Sequence, residues 1–289
     1  MSGIISDIAT PIVSGILLGG LYTIIALGLS LVFGVMKLIN VAHGDLVVFG
    51  SYFAYAVLAY CGVDPIVSLV LGIPVLFGLG FAIQKFLMAP VFRISMEAPL
   101  IIAFGISLVL ENVFQILFTP LSRGLTTSYS LQSISIGEVY VPVVYLLNFG
   151  AALVVMLALG MFLKRTYLGQ AIIAASQDAL AAQLMGINTK RLFAVTFGIS
   201  AAVSAVAGVF LGLTFPFTPV SGIPFLIIAF GVVILGGLGS IVGTFLGGII
   251  LGLAQTLGAH FIGASAQMLI VYVLVLLVLA VRPLGLFGR

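Results

Sequence analysis

The sequence predicts an all-α membrane protein, a polytopic helical bundle of eight or nine transmembrane spans with the N-terminus outside and the C-terminus inside the cell. Three observations carry this. Of 289 residues, 63% are hydrophobic and only 6% are charged, where an ordinary soluble domain carries roughly 25% charged residues. With a mean hydropathy of +1.41, most side chains must face lipid or one another. The apolar runs continue for about twenty residues, the helical length that crosses a hydrocarbon core about 30 Å thick, and they lack the alternation of a membrane β-barrel.

Divided at their breakers, the runs are 11–36, 46–60, 65–84, 99–118, 141–163, 192–215, 224–235, 241–260 and 266–281. The seventh is short and leads into Gly236, Gly237 and Gly239, so it reads as a half-helix or a re-entrant segment and leaves the count at eight or nine. One bundle over 1–289 is the natural domain. Residues 1–10 carry Asp7 and no basic residue, unlike a secretory signal, so the first span is expected to be retained.

Orientation rests on Lys and Arg. Placing the long hydrophilic loop 164–191 inside also puts Lys37, Lys85, Arg93, Arg282 and Arg289 inside and leaves only Arg123 outside. Nine spans satisfy that arrangement directly; eight require a re-entrant segment.

The 35 glycines are spaced for close helix packing. Gly15 and Gly19 form GxxxG; Ser200, Ser204, Gly208 and Gly212 line one face of the sixth span; Gly243, Gly247, Gly248 and Gly252 repeat the pattern in the eighth. Stretches beginning at Ala26, Ala103 and Ala229 also resemble one another, which hints at an inverted repeat, although so restricted an alphabet produces such matches by chance.

Several functions are excluded by what is missing. A net charge of +3 in a membrane chain records loop bias and gives no ground for a nucleic-acid partner. The single cysteine, Cys61, and two histidines without HExxH spacing imply neither a disulfide framework nor a metal site, and no cofactor is expected. No GxxxxGK[ST] loop occurs, so if ATP drives this protein it is held by another chain.

Five places can carry function. In the loop 164–191, Asp178 or Ser176 can cap a short helix whose Leu180, Leu184 and Ile187 form an apolar stripe, ended by Gly186 and Asn188. Such a stripe needs either lipid headgroups or a soluble partner. Asn40, His43, Gly44 and Asp45 interrupt two apolar runs: Asn40 can end one helix and Asp45 cap the next, or the group can serve a gate or pathway. Glu111, with Asn112 beside it and Gln115 one turn on, lies within the fourth span, where an ionisable group costs about 2.5 to 3.5 kcal/mol and must face protein or water. Gln255 and His260 make a weaker polar patch suited to helix contacts. Ser107 and Ser200, each in a Gly-Ile-Ser context, with His260 as a conceivable base, would be the site of an intramembrane serine hydrolase, a remote reading.

Over nearly its whole length the chain resembles permease subunits of branched-chain amino acid ABC importers of the LivH type. The resemblance rests on Gly20-Leu-Tyr22, the stretch 26–35, Asn40-Val-Ala-His43-Gly44, Gly186-Ile-Asn188, Leu235-Gly-Gly-Leu-Gly-Ser240 and Arg282-Pro-Leu-Gly-Leu-Phe-Gly288. It implies an inner-membrane heterodimer of two homologous permeases, of which this chain would be the shorter, with two cytoplasmic ATPase subunits that hold ATP and Mg, and an external solute-binding protein. The helix near Asp178 to Gly186 would then be the coupling helix seated in an ATPase groove. Branched-chain amino acids are the family default, alongside importers of urea, amides and other amino acids. Gln255 stands where family members often carry Glu, which removes any ionic role there. The rival from another class is an ion-coupled secondary transporter in which Glu111 carries the proton.

Overall fold

The computed structural model describes residues 2–91, 98–136 and 139–281. Arg93, Arg289 and the motif from Arg282 to Gly288 lie outside the described residues. In chain order the elements are α1 (Ser2–Met36), α2 (His43–Cys61), α3 (Leu69–Ala82), a π-helical turn (Ile83–Met88) leading into α4 (Ala89–Val91), and α5 (Ala98–Phe118). Next is a short antiparallel hairpin, β1 (Ser133–Ile136) paired with β2 (Val139–Pro142). Then come α6 (Val143–Arg165), α7 (Tyr167–Gln177), α8 (Ala179–Leu184), α9 (Thr189–Thr214), α10 (Gly222–Gly236), α11 (Ile241–Phe261) and α12 (Gln267–Val281). Among the described residues, eight helical stretches are long and apolar enough to cross a membrane, and α10 is a shorter ninth apolar helix.

Helices α1 and α9 form the centre. α1 is apolar around its whole circumference, as a helix enclosed by other helices must be, and Leu21, Tyr22, Ile24, Ile25, Ala26 and Leu27 are all fully buried. The two helices cross where Ser200 Oγ donates to the Gly28 carbonyl at 2.8 Å. Small residues allow this approach, since a Cβ on Gly28 would lie 2.9 Å from the Ser200 carbonyl oxygen. The GxxxG face of α1 meets that of α11, Gly15 against Gly252 and Gly19 against Gly248, with Gly34 against Gly239 at the other end, so the pair is antiparallel. α9 pairs with α3 and the π-helical turn in the same antiparallel manner, Ile73 beside Val203 and Lys85 beside Lys190, with Gly80 against Ala201 and Gly198 against Phe77 between them.

The chain leaves both central helices in the same way. After α1, residues 37–42 turn back so that His43 Nε2 lies 2.7 Å from the Ile25 carbonyl. From Ile25 to Met36 α1 advances about 16 Å, so α2 starts well inside the bundle rather than at its end. It then runs beside α9, Gly50 against Ala205 and Gly208 against Val47. After α9, residues 215–221 turn back likewise, and α10 starts where Gly222 touches Gly44 and Asp45, then runs to Gly236 against Gly243 of α11. The triplets α1-α2-α3 and α9-α10-α11 are thus inverted with respect to each other, and each contains one helix that begins near mid-depth. With the segment 215–221 before it, α10 carries the chain from the Thr214 end of α9 to the start of α11. The look-alike stretches at Ala26, Ala103 and Ala229 fall on α1, α5 and α10, which have no equivalent roles in the two halves; the repeat is real in the backbone, but those matches do not trace it.

The end of the bundle beyond Thr214 is closed by the loop 119–142. Arg123 bridges to Phe217 through both backbone groups, Leu125 N–H donates to the Gly212 carbonyl at 2.8 Å, and the Tyr129 hydroxyl donates to the Asp64 carboxylate at 2.9 Å. The Arg123 guanidinium donates to the Phe118 carbonyl and to the Tyr55 hydroxyl and lies over the Tyr55 ring. That explains the one basic residue set apart from the others: it is a bolt of this cap.

Candidate functional site

The starts of α2 and α10 meet backbone to backbone. Gly44 and Gly222 have to be glycine here, because a Cβ at position 44 would overlap the Gly222 carbonyl and one at position 222 would overlap the Asp45 carboxyl. Two helix N-termini therefore face one point inside the bundle, the arrangement by which broken helices make polar sites at membrane depth. Around that point stand buried polar side chains. Asp45 Oδ2 accepts from Ser107 Oγ of α5 at 2.5 Å, while its Oδ1 is buried without a protein partner. His43 donates from Nε2 to the Ile25 carbonyl, leaving Nδ1 unpartnered, and neither amide atom of Asn40 has a partner. Buried polar atoms are nearly always paired in folded proteins, so a concentration of unpaired ones is a functional signal.

The next turns of α5 extend the site. Glu111 lies one helical turn beyond Ser107 and is half-buried, and one turn further Phe114 stacks on Tyr52 of α2 with ring centroids 5.0 Å apart. Phe118 stacks on the same ring at 4.7 Å and Phe217 meets it edge-on at 4.9 Å. The Tyr52 hydroxyl, fully buried, also has no partner. Of the residues that the sequence singles out, His43 faces α1 and α9 at Ile25 and Gly28, Asn40 lies in the turn before it, and Glu111 lies at the seam of α5 with another face of α2, between the Ser107–Asp45 and Phe114–Tyr52 contacts.

Asp45 does not act as the cap that the sequence suggests. The cap position of α2 is Ala42, without a side-chain bond, and Asp45 reaches across to α5 instead. The sequence offers Ser107 only a hydrolase role and gives no signal for Gly222, Tyr52 and Gln84, the last buried with both amide atoms unpartnered. The hydrolase arrangement is absent among the described residues. Ser107 donates to Asp45 and Ser200 to Gly28, while His260 lies one turn beyond Thr256, whose hydroxyl donates to Pro11 near the far end of α1. Gln255 accepts from Tyr22 and donates toward Gln267, a helix contact joining α1, α11 and α12.

The second candidate site lies at the other end of α9. The loop holds two helices rather than one, α7 and α8. Asp178 caps α8, its Oδ1 accepting from Leu180 N–H at 2.8 Å and Ala181 N–H at 3.0 Å, and Gly186 comes after it in the left-handed region with φ 85°. Asn188, expected to close this helix, starts the next one by accepting from Arg191 N–H. Leu180 and Leu184 are 69% and 82% exposed, with Met185 beside them, so this part of the expected apolar stripe points away from the bundle, while Ile187, its third member, packs inward against the cluster of Ile172, Ala182 and Leu192.

Two inverted halves, meeting through broken helices inside a polytopic helical bundle, define a membrane transport protein. Residues 12–279 match the family described as "Branched-chain amino acid transport system / permease component", and the chain belongs to that family. It is 34% identical to the high-affinity branched-chain amino acid transport system permease protein BraD of Pseudomonas aeruginosa, over 96% of this chain and 95% of that protein. It is 33% identical to LivH of Escherichia coli, described in the same words, over 96% of this chain and 94% of that protein. A probable LivH of Methanocaldococcus jannaschii shares 25% identity over 86% of this chain and 81% of its own. No solved structure matches.

Proposed function

We propose that this chain is one of two homologous permease subunits of an ATP-binding-cassette importer that carries branched-chain amino acids across the cytoplasmic membrane. The observation that carries this is the family match across almost the whole chain, together with relatives at 33% and 34% identity whose names state that transport. A second permease, two ATPase subunits holding ATP and Mg, and an external binding protein complete the machine. Nothing in this chain turns over a substrate chemically; it shapes a route.

The orientation is supported by charge. Of the seven lysines and arginines among the described residues, Lys37, Lys85, Lys164, Arg165, Lys190 and Arg191 gather at the end of the bundle that carries α7 and α8, and only Arg123 lies at the other. That end is the cytoplasmic one by the positive-inside rule. In this reading α8 sits in a groove of an ATPase subunit, its exposed Leu180 and Leu184 buried by the partner, with Asp178 and Gly186 fixing its ends and Asn188 starting α9 behind it. Closure of the ATPases moves α8 and the start of α9, and the motion reaches the Gly28 and Ser200 crossing, where the inverted halves rock against each other. Asn40 and His43 at the start of α2, and Glu111 at its seam with α5, line the parts of the route that this rocking opens or closes.

The test is uptake of labelled leucine, isoleucine and valine into proteoliposomes holding the four-subunit complex with its binding protein. ATP-dependent uptake supports the proposal. Uptake driven by a proton gradient through this chain alone would overturn it.

A further inference from the structure

We propose that the cytoplasmic end of α9 holds one phospholipid with an anionic headgroup, seated by an apolar furrow along α9 and a basic cavity at its mouth. The furrow is lined by Val154, Leu159 and Phe162 of α6, Ile73 of α3, and Val203 and Val206 of α9, and it encloses about 310 Å³. Toward the start of α9 the same face continues into a second hollow between Tyr167, Ala171, Leu192 and Val195, which ends at Arg191 and Asn188. From Leu192 to Val206 α9 advances about 21 Å, the reach of one extended acyl chain. Arg191 also lines a third cavity, of about 560 Å³, with Lys85 and Lys190 on its wall.

Charge complementarity fixes the occupant. Three cations converge on one cavity, and among the described residues none of them has an acidic partner within ion-pair distance. The Lys85 ammonium lies 5.1 Å from the centre of the Phe86 ring and 5.7 Å from that of Phe81, so its stem stays against apolar surface while its charge stays at the cavity. A soluble anion would use the cations and ignore the furrow. A neutral lipid would use the furrow and ignore the cations. A lipid whose phosphodiester headgroup carries net negative charge, with no ammonium to offset it, uses both, and basic pockets between helices at the cytoplasmic face suit such headgroups.

The experiment is native mass spectrometry of the full transporter released from nanodiscs containing phosphatidylglycerol and phosphatidylcholine in equal amounts. The wild type should retain phosphatidylglycerol over phosphatidylcholine by about tenfold or more, given the cumulative attraction of three cations. The combined variant Lys85→Ala, Lys190→Ala, Arg191→Ala should lose the preference and keep the complex. Ala202→Phe, which fills the furrow, should reduce retention of both lipids. A phosphatidylglycerol analogue with a photoreactive acyl chain tests the site in wild-type protein, with crosslinks expected in α6 and α9 between 154 and 206. Equal retention of the two lipids by the wild type would overturn the proposal. So would competition by millimolar inorganic phosphate that abolishes the preference, which would mark a site for a free anion, or crosslinks from a photoreactive residue at position 190 that reach only an ATPase subunit, which would mark a protein contact.

Discussion

Ser107 on α5 donates its hydroxyl to the Asp45 carboxyl on α2 at 2.5 Å, and both residues are buried. This bond ties a helix at the edge of the bundle to the point where the broken helices meet. Asp45 faces Gly222 of α10 with its other oxygen, so a movement of α10 is felt by α5 through one side chain.

Ser107→Ala would leave Asp45 with no side-chain partner on either oxygen. A buried polar group stripped of its partner costs about 1–3 kcal/mol. The variant should assemble in the membrane, melt at lower temperature than the wild type in a detergent thermal-shift assay, and transport more slowly. An unchanged melting temperature would mean that the bond does not hold α5 in place.

The glycine contact at the centre predicts a sharp positional contrast. Gly44→Ala places a methyl group against the Gly222 carbonyl with no flexible side chain to yield, and overpacking of this kind costs about 1–3 kcal/mol or forces the helices apart. Gly105→Ala and Gly150→Ala, also within helices, meet nothing within 4 Å. Uptake by Gly44→Ala should fall severalfold while the two controls match the wild type, with protein levels measured by immunoblot in all three. Equal uptake by all three would remove the close approach from the mechanism.

The small-residue faces are legible in the sequence because packing demands leave a spacing: Gly15 and Gly19 do meet Gly248 and Gly252, and the stripe from Ser200 to Gly208 does face α1 and α2, with Gly212 meeting Leu125 and Phe217 of the closing loops. Most spans read from hydropathy and length lie within a few residues of their structural limits because those two properties suffice for them; α1 begins nine residues before position 11, and the third run continues past position 84 through the π-helical turn to Val91. The site is only partly legible. Asn40, His43 and Glu111 stand out as polar residues in apolar runs, but a serine such as Ser107 costs little in a membrane helix and carries no signal until its partner is known. The inverted halves are hidden for a related reason: they are related by backbone course, and although the short run 224–235 reads as a half-helix, its counterpart α2 has 19 residues and looks in sequence like any other span. Asp45 misleads because a carboxylate in a first helical turn resembles a cap whatever it touches.

Docking of α8 gives a prediction for the assembly. Leu184 is 82% exposed, and burying a leucine side chain contributes about 1.5–3 kcal/mol. Leu184→Ser should weaken association with the ATPase subunits by about tenfold or more, measured by the salt or detergent concentration at which they are stripped from the membrane. Gly186→Trp acts differently. The backbone at this position has φ 85°, and no atom lies within 4 Å of where the side chain would start, so the bulk projects outward. This variant should leave the subunit in the membrane and allow ATP hydrolysis while uptake is lost; normal uptake would detach Gly186 from coupling.

Glu111 separates two ways of driving the transport. It lies half-buried one turn from Ser107 on a spanning helix, a position whose cost means that it must face protein or water. A proton-coupled carrier would need its carboxyl to bind and release a proton in each cycle, and Glu111→Gln would stop it entirely. In an importer powered by separate ATPases the work comes from outside the bilayer, and a glutamine of the same shape can still occupy the seam. ATP-dependent uptake by Glu111→Gln in proteoliposomes should therefore remain within a few-fold of the wild type, with no response to an imposed proton gradient. Complete loss of uptake, with the complex intact by size-exclusion chromatography and its ATPase still stimulated by the binding protein, would instead make Glu111 an obligatory part of the route.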